Sequence, residues 1–173
     1  IRGGSATVHF PIWHQEIQDI LVLKNNKGTE DNRVRKLDYS IQISKLFYER
    51  FIKDEEITLF SPHDVPGLYD SFGTDRFDEL YTKYEQDESI PQHRIAAQTL
   101  ILDLLKERAE TGRIYIMNID HCNSHSSFKD QVFMSNLCQE ITLPTHPLTH
   151  IDDHVGEIAL CILSAVNVGK IRS

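Results

Sequence analysis

The sequence predicts an α/β fold, and three observations predict it. Arg113–Asp120, RIYIMNID, is apolar at nearly every position, which is the pattern of a parallel strand covered on both faces. It follows Gln92–Gly112, QHRIAAQTLILDLLKERAETG, the clearest amphipathic helix of the chain. Strand-like and helix-like stretches also alternate along most of the sequence, as they do in α/β architectures.

In order, a glycine loop, IRGGS, leads to ATVHFP, Ala6–Pro11, which reads as a short strand. Pro11 then opens a helix through IWHQEIQDILVLKN, with Ile17, Ile20 and Leu21 at helical spacing and Asn25, Asn26 and Gly28 to stop it. A polar loop, KGTEDNRVRK, precedes LDYSIQISKLFYERF, strand-like around Ile41 and helical through Leu46 and Phe47. EITLFS, Glu56–Ser61, is a strand, HDVPGLYDSF a loop, and DRFDELYTKYEQD a short amphipathic helix. The helix of Gln92–Gly112 starts after Pro91, buries a face through Ile101, Leu104 and Leu105, and stops at Gly112. After RIYIMNID come a polar loop HCNSHSSFKD, a strand SNLCQEITLP, a loop THPLTHIDDHVG and an apolar strand EIALCILSAV.

A length of 173 residues with 40% hydrophobic composition supports one globular unit with a real core. The start at Ile1 and the apolar run near Ser173 read as an interior piece, incomplete at both ends. A net charge of −8 argues against a general nucleic-acid binder, because neutralising phosphates needs clustered Lys and Arg. No run approaches the ~18 apolar residues of a membrane span. Three cysteines, an odd number in a chain of this size, do not suggest a secreted disulfide framework, so a reducing cytoplasm is expected.

The candidate chemistry concentrates in MSNLCQEITLP. In a strand, alternation sends Asn136, Cys138 and Glu140 to one face. Free cysteines commonly pack as small hydrophobes, which is the plain alternative for Cys138 and for Cys161 in EIALCILS. A carboxylate and an amide beside Cys138 weigh against it, since buried polar groups need partners. A zinc-binding module is the other alternative, from His121, Cys122 and His125, or from His146, His150 and His154. Pro147 breaks any helix that would stack the second set, and there is no CxxC pair, so no metal site is assigned. Arg2, Gly3 and Gly4 form a weak phosphate-loop signal, with a plain turn as the alternative.

SNLCQEITLPT and GEIALCILSAVNVG resemble the active-site segments of the large (α) subunit of class I ribonucleotide reductase. LVLKNNKGTEDNRVRKLDYSIQI, LFSPHDVPGLYD, KERAETGRIYIMNIDHCNSHS and the opening RGGSA extend the resemblance to essentially the whole chain. It implies an interior part of a ten-stranded α/β barrel with a central finger loop, spanning residues 1–173.

The resemblance further implies the reduction of ribonucleoside diphosphates to deoxyribonucleoside diphosphates by radical chemistry. Cys138 matches the radical cysteine at the finger-loop tip, which need not be extended. Glu140 matches the general base on the 3′-hydroxyl, Asn136 a ribose-binding amide, and Cys161 one of two cysteines that end as a disulfide. Arg2, Gly3 and Gly4 match the end of the loop through which a nucleoside triphosphate effector selects the substrate base. No cofactor is bound directly. A small (β) subunit with a dimetal-tyrosyl centre supplies the radical, thioredoxin or glutaredoxin the electrons, and the remaining large-subunit segments the rest of the site. A non-catalytic assembly piece is the competing reading.

Overall fold

In the computed structural model, residues 4–25, 27, 34, 36–158 and 162–170 are described. They form an α/β fold whose centre is a parallel sheet of β1 (Thr7–Pro11), β2 (Asp38–Ile43) and β5 (Ile114–Asn118), with β2 in the middle. Register places His9 beside Ser40, and Ile41 beside both Phe10 and Ile116. Every crossover between these parallel strands carries helix, as parallel connection demands.

Alternation gives the two sheet faces different chemistry. Tyr39, Ile41 and Ile43 of β2, with Phe10 of β1 and Ile114 of β5, present an apolar face. Thr7, His9, Ser40 and Gln42 occupy the alternate positions and present a polar one. Ser40 and Gln42 are nonetheless fully buried, so their polar atoms need internal partners.

α2 (Lys45–Lys53), α4 (Arg76–Glu85) and α5 (Ala97–Thr111) join the strands of the sheet in one apolar core. Phe47, Phe72, Phe77 and Tyr81 meet at ring separations of 4.5 to 6.3 Å, and Trp13 and Phe60 close the cluster. The buried Tyr81 hydroxyl donates to the Thr58 carbonyl at 2.6 Å and accepts the Thr58 amide at 2.8 Å. Arg50 and Glu85 make a bidentate pair at 2.6 and 2.5 Å beside it. This ties α2 and α4 to β3 (Glu56–Phe60).

Several expectations are corrected. Pro11 ends β1, and the first helix is only the single turn α1 (Ile17–Leu21). Gln92–Ala96 is not helical: it forms β4, antiparallel to β3, and α5 begins at Ala97. Its buried face runs through Ala97, Leu100, Ile101 and Leu104, while Leu105 lies at the edge of that stripe and is exposed. Gly112 does stop α5, in the left-handed conformation at φ +64°. HDVPGLYDSF holds a short α3 (Leu68–Ser71), and the supposed loop after β5 opens with α6 (Ile119–Ser124).

SNLCQEITLP is a hairpin and not one strand. β6 (Met134–Ser135) and β7 (Thr142–Leu143) pair antiparallel, and residues 136–141 turn between them. EIALCILSAV shows no strand among its described residues, and Ile158, Ile162, Leu163 and Val166 are exposed, since an apolar strand needs paired neighbours. Among the described residues no helix is long and apolar enough to cross a membrane.

Candidate active site

The hairpin lies on the polar face of the parallel sheet, held by side chains the strands direct at it. The Thr7 hydroxyl donates to the Leu137 carbonyl at 2.5 Å. The Ser135 amide donates to His9 Nε2 at 3.3 Å, and Gln42 Nε2 donates to the Phe133 carbonyl. The Ser40 hydroxyl bonds Gln139 Oε1 at 2.6 Å, and Gln139 Nε2 donates to the Ile116 carbonyl at 2.8 Å. All three strands of the sheet therefore grip the loop.

The loop closes on itself through Asn136. Its amide donates to the Ile141 carbonyl at 3.1 Å, and its side-chain Oδ1 accepts the Ile141 amide at 3.0 Å. Gln139 sits at φ +62°, a left-handed conformation uncommon for a residue with a side chain. That bend explains how neighbouring side chains separate. Cys138 and Glu140 open on one side of the loop and Gln139 on the other.

The side carrying Cys138 is a cavity of about 740 Å³. Asn136, Cys138 and Glu140 line it, together with Ser5, Thr7 and Thr145. Cys138 is exposed in it, whereas Asn136 and Thr145 are buried. Asn136 Nδ2 and Thr145 Oγ1 have no hydrogen-bond partner among the described residues. Two buried polar groups thus line a cavity large enough for a nucleotide-sized ligand, and a ligand's hydroxyls are the natural partners for them. Leu137, Pro147, Leu148, Ile158 and Leu163 supply apolar wall.

Asn136, Cys138 and Glu140 are brought together by a tight turn in place of strand alternation. Gly4 is described and exposed at the start of the segment leading into β1. Arg2, Gly3 and Cys161 lie outside the described residues. Of the histidines, His121 and His125 stand 5.8 Å apart edge to face on one side of α6, next to the half-buried Cys122. Among the described residues no three His, Cys, Asp or Glu side chains approach closely enough to hold a metal ion.

Sequence reasoning missed Thr7, His9, Ser40, Gln42 and Gln139 as loop holders and Thr145 as a cavity residue. The signal was present in DYSIQI, where Ser40 and Gln42 interrupt an otherwise apolar buried strand. Burial pushes the His9 imidazole down to about 4, so it is neutral near pH 7 and free to accept the Ser135 amide.

The ribonucleotide reductase barrel-domain model matches residues 1–173. The chain is 59% identical over 178 aligned residues to the ribonucleoside-diphosphate reductase subunit alpha of Haemophilus influenzae, covering 100% of this chain and 24% of that protein. It is 57% identical to ribonucleoside-diphosphate reductase 1 subunit alpha of Escherichia coli over 86% of this chain and 20% of that one. With the subunit alpha of Enterobacteria phage T4 the identity is 48%, over 95% of this chain and 22% of the relative. The chain therefore spans about a quarter or less of the length of these relatives.

Proposed function

The chain belongs to the ribonucleotide reductase barrel-domain family, and on that premise we propose that it carries the hydrogen-abstracting part of a ribonucleoside-diphosphate reductase large subunit. The observation that supports this most is one cavity receiving Cys138, Glu140 and Asn136 together with buried, unpartnered polar atoms of Asn136 and Thr145.

Each group has a chemical task. The Cys138 thiyl takes a hydrogen atom from C3′ of the ribose, so that one S–H bond forms as one C–H bond breaks, nearly thermoneutrally. Glu140 accepts the proton of the 3′-hydroxyl, which makes loss of the 2′-hydroxyl as water easier. Asn136 Oδ1 is committed to the loop, so its Nδ2 is the group left to hold a ribose oxygen. Leu137, Leu148 and Ile158 help keep water from the radical. Cys161 and a second cysteine give up two hydrogen equivalents and end as a disulfide, which balances the oxygen lost as water.

In this reading the three-stranded parallel sheet is part of a ten-stranded barrel and the hairpin is its finger loop. The exposed apolar side chains Ile162, Leu163 and Val166 are then covered by further segments of the subunit. Arg2, Gly3 and Gly4 end the loop through which a nucleoside triphosphate effector sets base preference. A small (β) subunit supplies the radical through a dimetal-tyrosyl centre, and thioredoxin or glutaredoxin reduces the disulfide.

The test is reconstitution of the complete subunit with its radical-generating partner, followed by assay of deoxynucleotide formation. Cys138→Ser should give no product, because the alcohol O–H bond is too strong for the needed radical to form. Product at the wild-type rate from that variant would overturn the reading.

A further inference from the structure

Neither arm of the hairpin can hold the position of Cys138 by itself. β6 and β7 are two residues long, and a two-stranded hairpin of that size has little stability of its own. Within the tip, the Asn136 carbonyl accepts the Gln139 amide at 3.2 Å and the Ser135 hydroxyl at 2.9 Å. Thr7, His9 and Gln42 grip residues 137, 135 and 133, all before Cys138.

Gln139 stands between Cys138 and Glu140, in a backbone conformation that costs about 1 kcal/mol without compensation. Two side-chain hydrogen bonds supply that compensation, at 2.6 Å to Ser40 and 2.8 Å to the Ile116 carbonyl. Ser40 is 0% exposed on the central strand of the sheet, which is hydrogen-bonded on both sides. The left-handed bend at 139 turns this side chain down onto the sheet and leaves its two neighbours facing the cavity.

We propose that Gln139, locked by Ser40 and the Ile116 carbonyl, is the positioning residue that fixes where the Cys138 sulfur and the Glu140 carboxylate stand relative to the substrate. The proposal rests on the reading of Cys138 as the hydrogen-abstracting group. Gln139 touches no substrate in this scheme, since it opens onto the opposite side of the loop.

The experiment uses the complete subunit with its radical-generating partner. Gln139→Leu keeps the side-chain size without the hydrogen bonds, and Gln139→Asn keeps the amide without the reach. Both should lower kcat by about tenfold to a hundredfold, as expected when a reacting group is misplaced by around 1 Å, with KM for the nucleoside diphosphate nearly unchanged. Ser40→Ala should lower kcat similarly, and the Ser40→Ala, Gln139→Leu double variant should be no worse than the poorer single one.

A second readout does not depend on turnover. A nitroxide attached at Cys138, with Cys122, Cys161 and every other cysteine of the complete subunit replaced by serine, should give a broad immobilised spectrum that sharpens in Gln139→Leu. Wild-type kcat together with an unchanged nitroxide spectrum in both Gln139 variants would overturn the positioning role. A complete wild-type subunit that makes no deoxynucleotide would instead sink the reading of Cys138, and the nitroxide comparison would still decide whether Gln139 orders the tip.

Discussion

Asn136 Oδ1 accepts the amide hydrogen of Ile141 at 3.0 Å, so one side chain closes the loop that carries Cys138 and Glu140 while its Nδ2 atom stays without a partner among the described residues. The two ends of a single amide thus have separate duties. The oxygen shapes the turn, and the nitrogen is kept for whatever enters the cavity.

Asn136→Ala should expose this division. Loss of the acceptor strips the Ile141 amide of its partner and should cost about 1 to 2 kcal/mol of stability. Hydrogen exchange at the Ile141 amide should speed up, while the Thr58 amide, held by the Tyr81 hydroxyl, should exchange as in wild type. Substrate turnover in the complete subunit should fall further than the stability loss explains, because the ribose contact goes too. Unchanged protection at Ile141 would refute the loop-closing role.

His9 gives the loop a pH dependence. In the folded chain its ring stays neutral down to about pH 4 through burial, whereas in the unfolded chain it takes up a proton near 6.5. Above 6.5 both states are neutral and the His9 Nε2 bond to the Ser135 amide is fully present. As pH falls from 6.5 towards 4 the unfolded state gains the proton first, so stability declines across that window, by roughly 2 to 3 kcal/mol at its acid end. Burial also lowers His14, against an opposing pull from Glu16, and adds to the same trend. His9→Gln keeps an acceptor for Ser135 and removes the titration. Denaturant unfolding between pH 4 and 7.5 should show a visibly flatter profile for the variant, and parallel profiles would rule the mechanism out.

The regular elements were legible in the sequence where burial imposed a period. β2 and β5 lie in the sheet that builds the core, and their apolar positions announce them. β4 was not legible, because QHRIA is half exposed and pairs only with β3, so neither alternation nor apolarity marks it. The hairpin was misread for a different reason. Its left-handed residue is Gln139, and neither glycine nor asparagine stands there to announce a turn. Asn136, Cys138 and Glu140 reach one cavity all the same, since a two-residue alternation and this turn happen to direct the same three side chains together. The buried polar pair Ser40 and Gln42 were visible as residues but not as partners, because what they hold lies 99 and 91 positions away.

Gly73 supports the same hairpin from a distance. It follows α3 with φ +87°, and a Cβ there would stand 2.7 Å from Asn123 Nδ2 and 2.8 Å from Ile119 Cγ1. Asn123 cannot retreat freely. Its Nδ2 donates to the Ile119 and Val132 carbonyls at 3.0 Å each, and its Oδ1 accepts the Val132 amide at 2.8 Å. Val132 is fully buried and lies two residues before β6, so this one side chain ties α6 to the root of the hairpin. Gly73→Ala combines an unfavourable backbone conformation with a collision against that tie, and should destabilise the chain by about 2 to 4 kcal/mol. Gly73→Asn tests the two causes separately, because asparagine tolerates positive φ better than alanine yet brings the same Cβ. If the collision dominates, both variants lose comparable stability in denaturant unfolding, and exchange at the Val132 amide accelerates in both. A stable Gly73→Asn beside an unstable Gly73→Ala would assign the cost to the backbone alone and leave the Asn123 tie intact.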